Sequence, residues 1–227
     1  MTFTRHGLLR GFKLTIPLAL SAASYGLVFG LLSKQSGLQF SESLLMSLTV
    51  FAGAAQLVVM QLWTTPLPVA GIILTTFLVN ARHLFMGAAL QPWFKKISPL
   101  EAYGSLFFCA DENWALSMRE FRRGEKDGAI LLGGGLAVYL AWASATVLGF
   151  MASAMVRDPV VWGFDFAFVA VFVALMVGLW RGKHDLIPWC VAALAAVVAS
   201  ELLPGKWYIL IGTLLGSLLE FFRYEDE

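Results

Sequence analysis

Asn80, Arg82 and His83 interrupt an apolar stretch, Val69 to Leu90, that is long enough to cross a bilayer. An arginine near the centre of a spanning helix costs about 2.5–3.5 kcal/mol on insertion scales, so it must face a partner or a wet cavity. Arg82 lies eight residues before Leu90. At ~1.5 Å per residue that is on the order of 12 Å of helix, most of the way into a half-core of about 15 Å. On a regular helix Asn80 and His83 share a face. Arg82 projects about 200° away from Asn80. Either the helix is irregular here, or Arg82 meets another helix or subunit while Asn80 and His83 line a path. His83 is the one histidine in an apolar segment and can change charge near neutral pH. It is suited to a proton relay, or to a neutral hydrogen bond in a core.

Two further groups could act with it. Asp111-Glu112-Asn113 places adjacent carboxylates in a marginal apolar segment. They are natural partners for Arg82 and could carry protons; the alternative is a wet acidic face on an interfacial helix. Phe51-Ala52-Gly53-Ala54-Ala55-Gln56 sets four small residues before a glutamine. Small residues such as Gly53 admit a close helix or ligand, and Gln56 both donates and accepts. An unwound turn there would offer backbone groups to a solute; a helix–helix hydrogen bond is the plainer use of Gln56. Asp165 is a weaker candidate near the start of a later segment.

Other chemistries find no support. The chain has no G-x-x-x-x-G-K-[ST] loop, no H-E-x-x-H and no G-x-S-x-G. Its two cysteines, Cys109 and Cys190, fall in apolar segments and suggest neither a disulfide framework nor a zinc site. No metal or cofactor is expected, and no nucleophile–base pair points to an enzyme.

The elements that must position these residues are membrane helices. Charged residues make up 14% of the chain and mean hydropathy is +0.75, against about 25% charged in soluble domains. Eight apolar segments are expected, at 12–33, 41–62, 68–90, 99–118, 128–154, 160–180, 186–202 and 206–222. They form one all-α transmembrane domain over 1–227. The segments are too long for barrel strands, and a spanning helix satisfies its own backbone. Segment 99–118 is the weakest, since it carries Glu101, Asp111, Glu112 and Asn113; if it fails to cross, the count becomes seven.

Eight crossings with both termini in the cytoplasm place Arg5, Arg10, Lys13, Arg119, Arg122, Arg123, Lys126, Arg181, Lys183 and Arg223 inside. Lys34, Lys95, Lys96, Arg157 and Lys206 fall outside, an asymmetry that follows the positive-inside rule. Gly26 and Gly30, Gly212 and Gly216, and the run Gly133-Gly134-Gly135 mark close helix approach. Gly37-Leu38-Gln39-Phe40 and Gly163-Phe164-Asp165-Phe166 each precede an apolar run, a hint of an internal repeat with broken helices.

Read in order, Tyr25-Gly26-Leu27-Val28-Phe29-Gly30, Phe51-Ala52-Gly53-Ala54-Ala55-Gln56, Asn80-Ala81-Arg82-His83-Leu84-Phe85-Met86-Gly87 and Asp111-Glu112 resemble the AzlC family. Gly163-Phe164-Asp165-Phe166 and the Trp207-Tyr208 region extend the resemblance over nearly the whole chain. The resemblance implies a secondary exporter of branched-chain amino acids in a bacterial cytoplasmic membrane, driven by protons. It also implies a small membrane subunit of the AzlD type, and no ATP site in this chain. A zwitterion needs a cation for its carboxylate and an acceptor for its ammonium. On that reading Gly53, Gln56 and Asn80 contact substrate, Arg82 holds the carboxylate or an ion pair, and His83 with Asp111 or Glu112 couples protons. Two other readings compete: an assembly subunit whose partner carries the pathway, and a passive channel component.

Overall fold

The computed structural model describes residues 1–153, 173, 177, 180, 182–203 and 207–224. Ten α-helices are present among them: α1 Arg5–Gln35, α2 Phe40–Thr49, α3 Gly53–Leu62, α4 Val69–Asn80, α5 Arg82–Phe94, α6 Pro99–Phe107, α7 Asp111–Arg122, α8 Ala129–Ser153, α9 Leu186–Leu202 and α10 Trp207–Tyr224. Among the described residues there is no β-strand, only an isolated bridge between Thr2 and Asp127. Local sequence starts these helices. The Thr4 hydroxyl accepts the Gly7 amide at 3.1 Å to open α1. Ser98 and Glu101 form a reciprocal capping box around Pro99 to open α6.

The centre of the fold is the pairing of α1 with α8, which run parallel. At one end the Thr2 amide donates to the Lys126 carbonyl at 2.8 Å, and the Gly128 amide to the Thr2 carbonyl at 2.9 Å. Glycines then bring the two backbones together. Gly133 packs on the Leu8 carbonyl and Gly11 on the Ile130 carbonyl, with no room for a Cβ at either. Nearer the other end the exchange recurs: Gly149 meets the Leu27 carbonyl and Gly30 the Thr146 carbonyl. Each helix thus presents a carbonyl and, three residues on, a glycine to the same pattern on its neighbour. The expected role of Gly26, Gly30, Gly133 and Gly134 is met here, while Gly135 faces Phe108 and Asn113; Gly212 and Gly216 likewise pack against Ala192 between α9 and α10.

Polar groups lock the end where α1 and α8 begin. Asp127 accepts the Thr4 amide at 3.2 Å and the Ala129 amide at 3.1 Å, and also takes the Thr4 hydroxyl. Arg10 of α1 reaches Glu120 of α7 at 3.0 Å and also pairs with Glu125. Glu120, only 8% exposed, is approached by Arg119 and Arg123 as well.

Segments 41–62, 68–90 and 99–118 are not uninterrupted helices. The first is divided into α2 and α3 by residues 50–52, and the last into α6 and α7 by residues 108–110. The pieces are nine to twelve residues long, too short to span alone. The middle segment is interrupted only at Ala81, whose φ and ψ stay in the helical region. Val69–Phe94 therefore forms one 26-residue span with a loosened turn. Among the described residues, four helices are long and apolar enough to cross a membrane: Arg5–Gln35, Val69–Phe94, Ala129–Ser153 and Lys183–Leu202. Segment 160–180, with Asp165 and the second echo tetrapeptide, lies outside the described residues except at 173, 177 and 180.

Candidate functional site

The interruption at residues 50–52 is the most strained point of the described backbone. Phe51 adopts φ 39°, in the left-handed region that a bulky side chain rarely enters. Ending α2 there leaves the Leu48 carbonyl without its helical donor, and Tyr139 of α8 donates its hydroxyl to it at 3.0 Å. Gly53 opens α3 against the Trp142 ring, where a Cβ would lie 2.5 Å from Cη2. Gln56, one turn later, is fully buried. Its Nε2 makes a long 3.5 Å approach to Ser47 Oγ, which lies 3.0 Å from Thr146 Oγ1. Thr146 in turn donates to the Trp142 carbonyl at 3.0 Å. The chain of donors thus runs one way, from Gln56 through Ser47 and Thr146 to the backbone of α8. Gln56 Oε1 and Trp142 Nε1 are left buried with no protein partner.

Asn113 shapes the interruption at residues 108–110. Fully buried, it accepts the Ala110 amide at 2.7 Å and donates to the carbonyls of Phe108 at 3.0 Å and Leu131 at 2.9 Å. Gly135 of α8 leaves room for the Phe108 carbonyl. The interruptions meet across α8: the Tyr139 ring centroid is 5.1 Å from Phe51 and 5.0 Å from Phe108. Trp114 Nε1 donates to the Met86 carbonyl at 3.2 Å, tying α7 to α5.

Arg82 and Asp111 form the ionic part of the site. Arg82 Nη1 lies 2.5 Å from Asp111 Oδ2, joining the first turn of α5 to the first turn of α7. Asp111 lies in the first turn of α7, where a carboxylate also favours the helix dipole. Arg82 is thirteen residues from Val69 and twelve from Phe94, which puts it at the middle of that span. The side chains are 38% and 49% exposed on this chain. Arg82 Nε and Asn80 Oδ1 are buried without a partner. His83 Nδ1 is 3.1 Å from the Asn80 carbonyl. A carbonyl only accepts, so Nδ1 carries the hydrogen in this contact. Glu112 makes no ion pair among the described residues.

The structure thus joins Arg82 to Asp111, ties His83 to the Asn80 backbone in the adjoining turn of the same span, and sets Gly53 with Gln56 at the α2–α3 interruption. The helix is irregular at Ala81, and Arg82 meets another helix through Asp111. Sequence reasoning gave no part to Tyr139, Trp142, Ser47 or Thr146. An aromatic with a polar edge in an apolar helix was the available signal. Among the described residues, no group of three His, Cys, Asp or Glu side chains could hold a metal.

This architecture defines an all-helical membrane protein whose spanning segments are interrupted around buried polar groups. The chain belongs to the AzlC family: the family model described as AzlC protein matches residues 17–156. It is 29% identical to a membrane protein of Archaeoglobus fulgidus over 77% of each chain. A membrane protein of Helicobacter pylori is 26% identical over 98% of this chain and 99% of its own length. A Bacillus subtilis relative named branched-chain amino acid transport protein AzlC is 24% identical over 91% of this chain and 81% of its own. No solved structure matches.

Proposed function

We propose that this protein is a proton-coupled secondary exporter of branched-chain amino acids, one transmembrane domain of eight crossings in a cytoplasmic membrane. The observation that carries the reading is the Arg82–Asp111 pair, which lies at the centre of a 26-residue apolar span and is open at the surface of the chain. Lipid does not solvate such a pair, so an aqueous path or another protein must face it. A small membrane subunit of the AzlD type is the partner. The name of the Bacillus relative, branched-chain amino acid transport protein AzlC, supports the substrate class.

The parallel pairing of α1 and α8 favours eight crossings over seven, because an odd number of passes must connect two parallel spanning helices. The carbonyl-and-glycine exchange between them supports an internal repeat of parallel halves. Backbone contact seals the space between α1 and α8, so the path runs beside them, through the interrupted segments. Gly53, Gln56 and Asn80 contact substrate there, while His83, Asp111 and Glu112 move protons and Arg82 balances their charge. The test is flux of labelled leucine, valine and isoleucine in proteoliposomes holding both subunits, this chain alone or the small subunit alone. Uphill movement that stops when the proton gradient is dissipated supports the reading. Flux that only equilibrates favours a passive channel, and flux unchanged by omitting this chain favours an assembly role.

A further inference from the structure

We infer that the amino and carboxyl groups of the transported amino acid are recognised at the start of α3, by Trp142 Nε1 as donor and Gln56 Oε1 as acceptor. The inference rests on the exporter reading and extends it to Trp142. Gly53 lies against the Trp142 ring, and Gln56 is linked through Ser47 to Thr146, one turn beyond Trp142 on α8. The first turn of α3 therefore lies along the Trp142–Thr146 turn of α8, and the two orphan atoms belong to these facing turns. Trp142 is 6% exposed and Gln56 0%, so neither orphan is satisfied by bulk water. A buried polar atom without a partner costs about 1–3 kcal/mol, which a polar ligand would relieve.

The chemistry of the orphans is complementary. An indole N–H can only donate, and the free side of the Gln56 amide can only accept. Beside them the first amides of α3 lack intrahelical acceptors and carry the positive end of the helix dipole. One donor with a helix start suits a carboxylate, and one acceptor suits an ammonium. Neutral donors and acceptors hold a zwitterion without adding net charge to the site. Phe29 and Phe51 are buried in the same apolar cluster as Trp142 and suit a branched aliphatic side chain. On this assignment Arg82 keeps its bond to Asp111 while substrate is held elsewhere, which separates binding from coupling.

The test uses the full chain with its small subunit in proteoliposomes. Half-saturation for leucine is measured for the wild type, Trp142→Phe and Gln56→Met. Two competitors are added: 3-methylbutylamine, which lacks the carboxylate, and 4-methylpentanoate, which lacks the ammonium. Trp142→Phe removes the donor together with the distal ring edge against Gly53, so the two competitors separate loss of the donor from loss of packing. Its KM for leucine is expected to rise about tenfold, the worth of one charge-assisted hydrogen bond, with a smaller change in maximal rate. Inhibition by the amine should not weaken. Gln56→Met should weaken inhibition by the amine and leave that by the acid unchanged. An unaltered KM in Trp142→Phe, or equal weakening of both competitors by either variant, overturns the assignment. A wild-type protein that moves none of the branched-chain amino acids overturns the exporter reading itself.

Discussion

Tyr139 donates its hydroxyl to the Leu48 carbonyl at 3.0 Å, across ninety-one residues of sequence. That bond completes the interruption between α2 and α3, because a carbonyl released from a helix inside an apolar protein needs a donor. The same ring stacks edge-on against Phe51 and Phe108, one from each of two interruptions. One residue of α8 therefore holds both in register. Tyr139→Phe keeps the rings and leaves the Leu48 carbonyl unpaired. It should cost about 1–3 kcal/mol, measured as loss of thermal stability in detergent, while Tyr139→Leu should cost more.

The parallel contact of α1 and α8 has no space for side chains at its glycines. Gly149→Leu would force the Leu27 carbonyl away and should abolish accumulation of folded protein. Gly104 in α6 faces open space, with nothing within 4 Å of the point a Cβ would occupy. Gly104→Ala should therefore be neutral or stabilise by up to ~1 kcal/mol. Melting of the two variants side by side separates contact from composition.

Asn113 makes three hydrogen bonds from a fully buried position. Asn113→Leu leaves the Ala110 amide and the Phe108 and Leu131 carbonyls short of a partner, at about 1–3 kcal/mol for each group left unsatisfied. Asn113→Asp restores only the acceptor. Thermal melting should rank wild type above Asn113→Asp, and that above Asn113→Leu.

Glu120 gathers Arg10, Arg119 and Arg123 while remaining 8% exposed. Removing its charge by Glu120→Gln leaves three cations close together. The variant should melt below the wild type, and added salt should narrow the difference by screening the repulsion among the arginines.

The parts legible in the sequence were those that lipid dictates. A mid-span arginine needs a counter-charge, and Asp111 is that counter-charge, as expected for Arg82. Glycines spaced along α1 and α8 announced close packing, and close packing is found at Gly30 and Gly133. Their partners were hidden, because the reciprocity of Leu8 with Gly133 and Ile130 with Gly11 joins positions more than a hundred residues apart. The interruption at 50–52 was foreshadowed by the small residues around Gly53. That at 108–110 has neither proline nor glycine; its cause is Asn113, whose three bonds exist only once α8 is in place. Tyr139 and Trp142 drew no reading from the sequence, since their polar edges gain meaning only beside Leu48 and Gly53.

The most direct measurement of the central claim is leucine flux driven by an imposed pH gradient in proteoliposomes holding wild type, Asp111→Asn, Arg82→Gln or both changes. If the Arg82–Asp111 pair lines the coupled path, Asp111→Asn loses gradient-driven accumulation while the folded protein persists. The double variant then removes the unpaired arginine without restoring proton coupling. Accumulation by Asp111→Asn at the wild-type rate and with the wild-type response to pH would contradict the account.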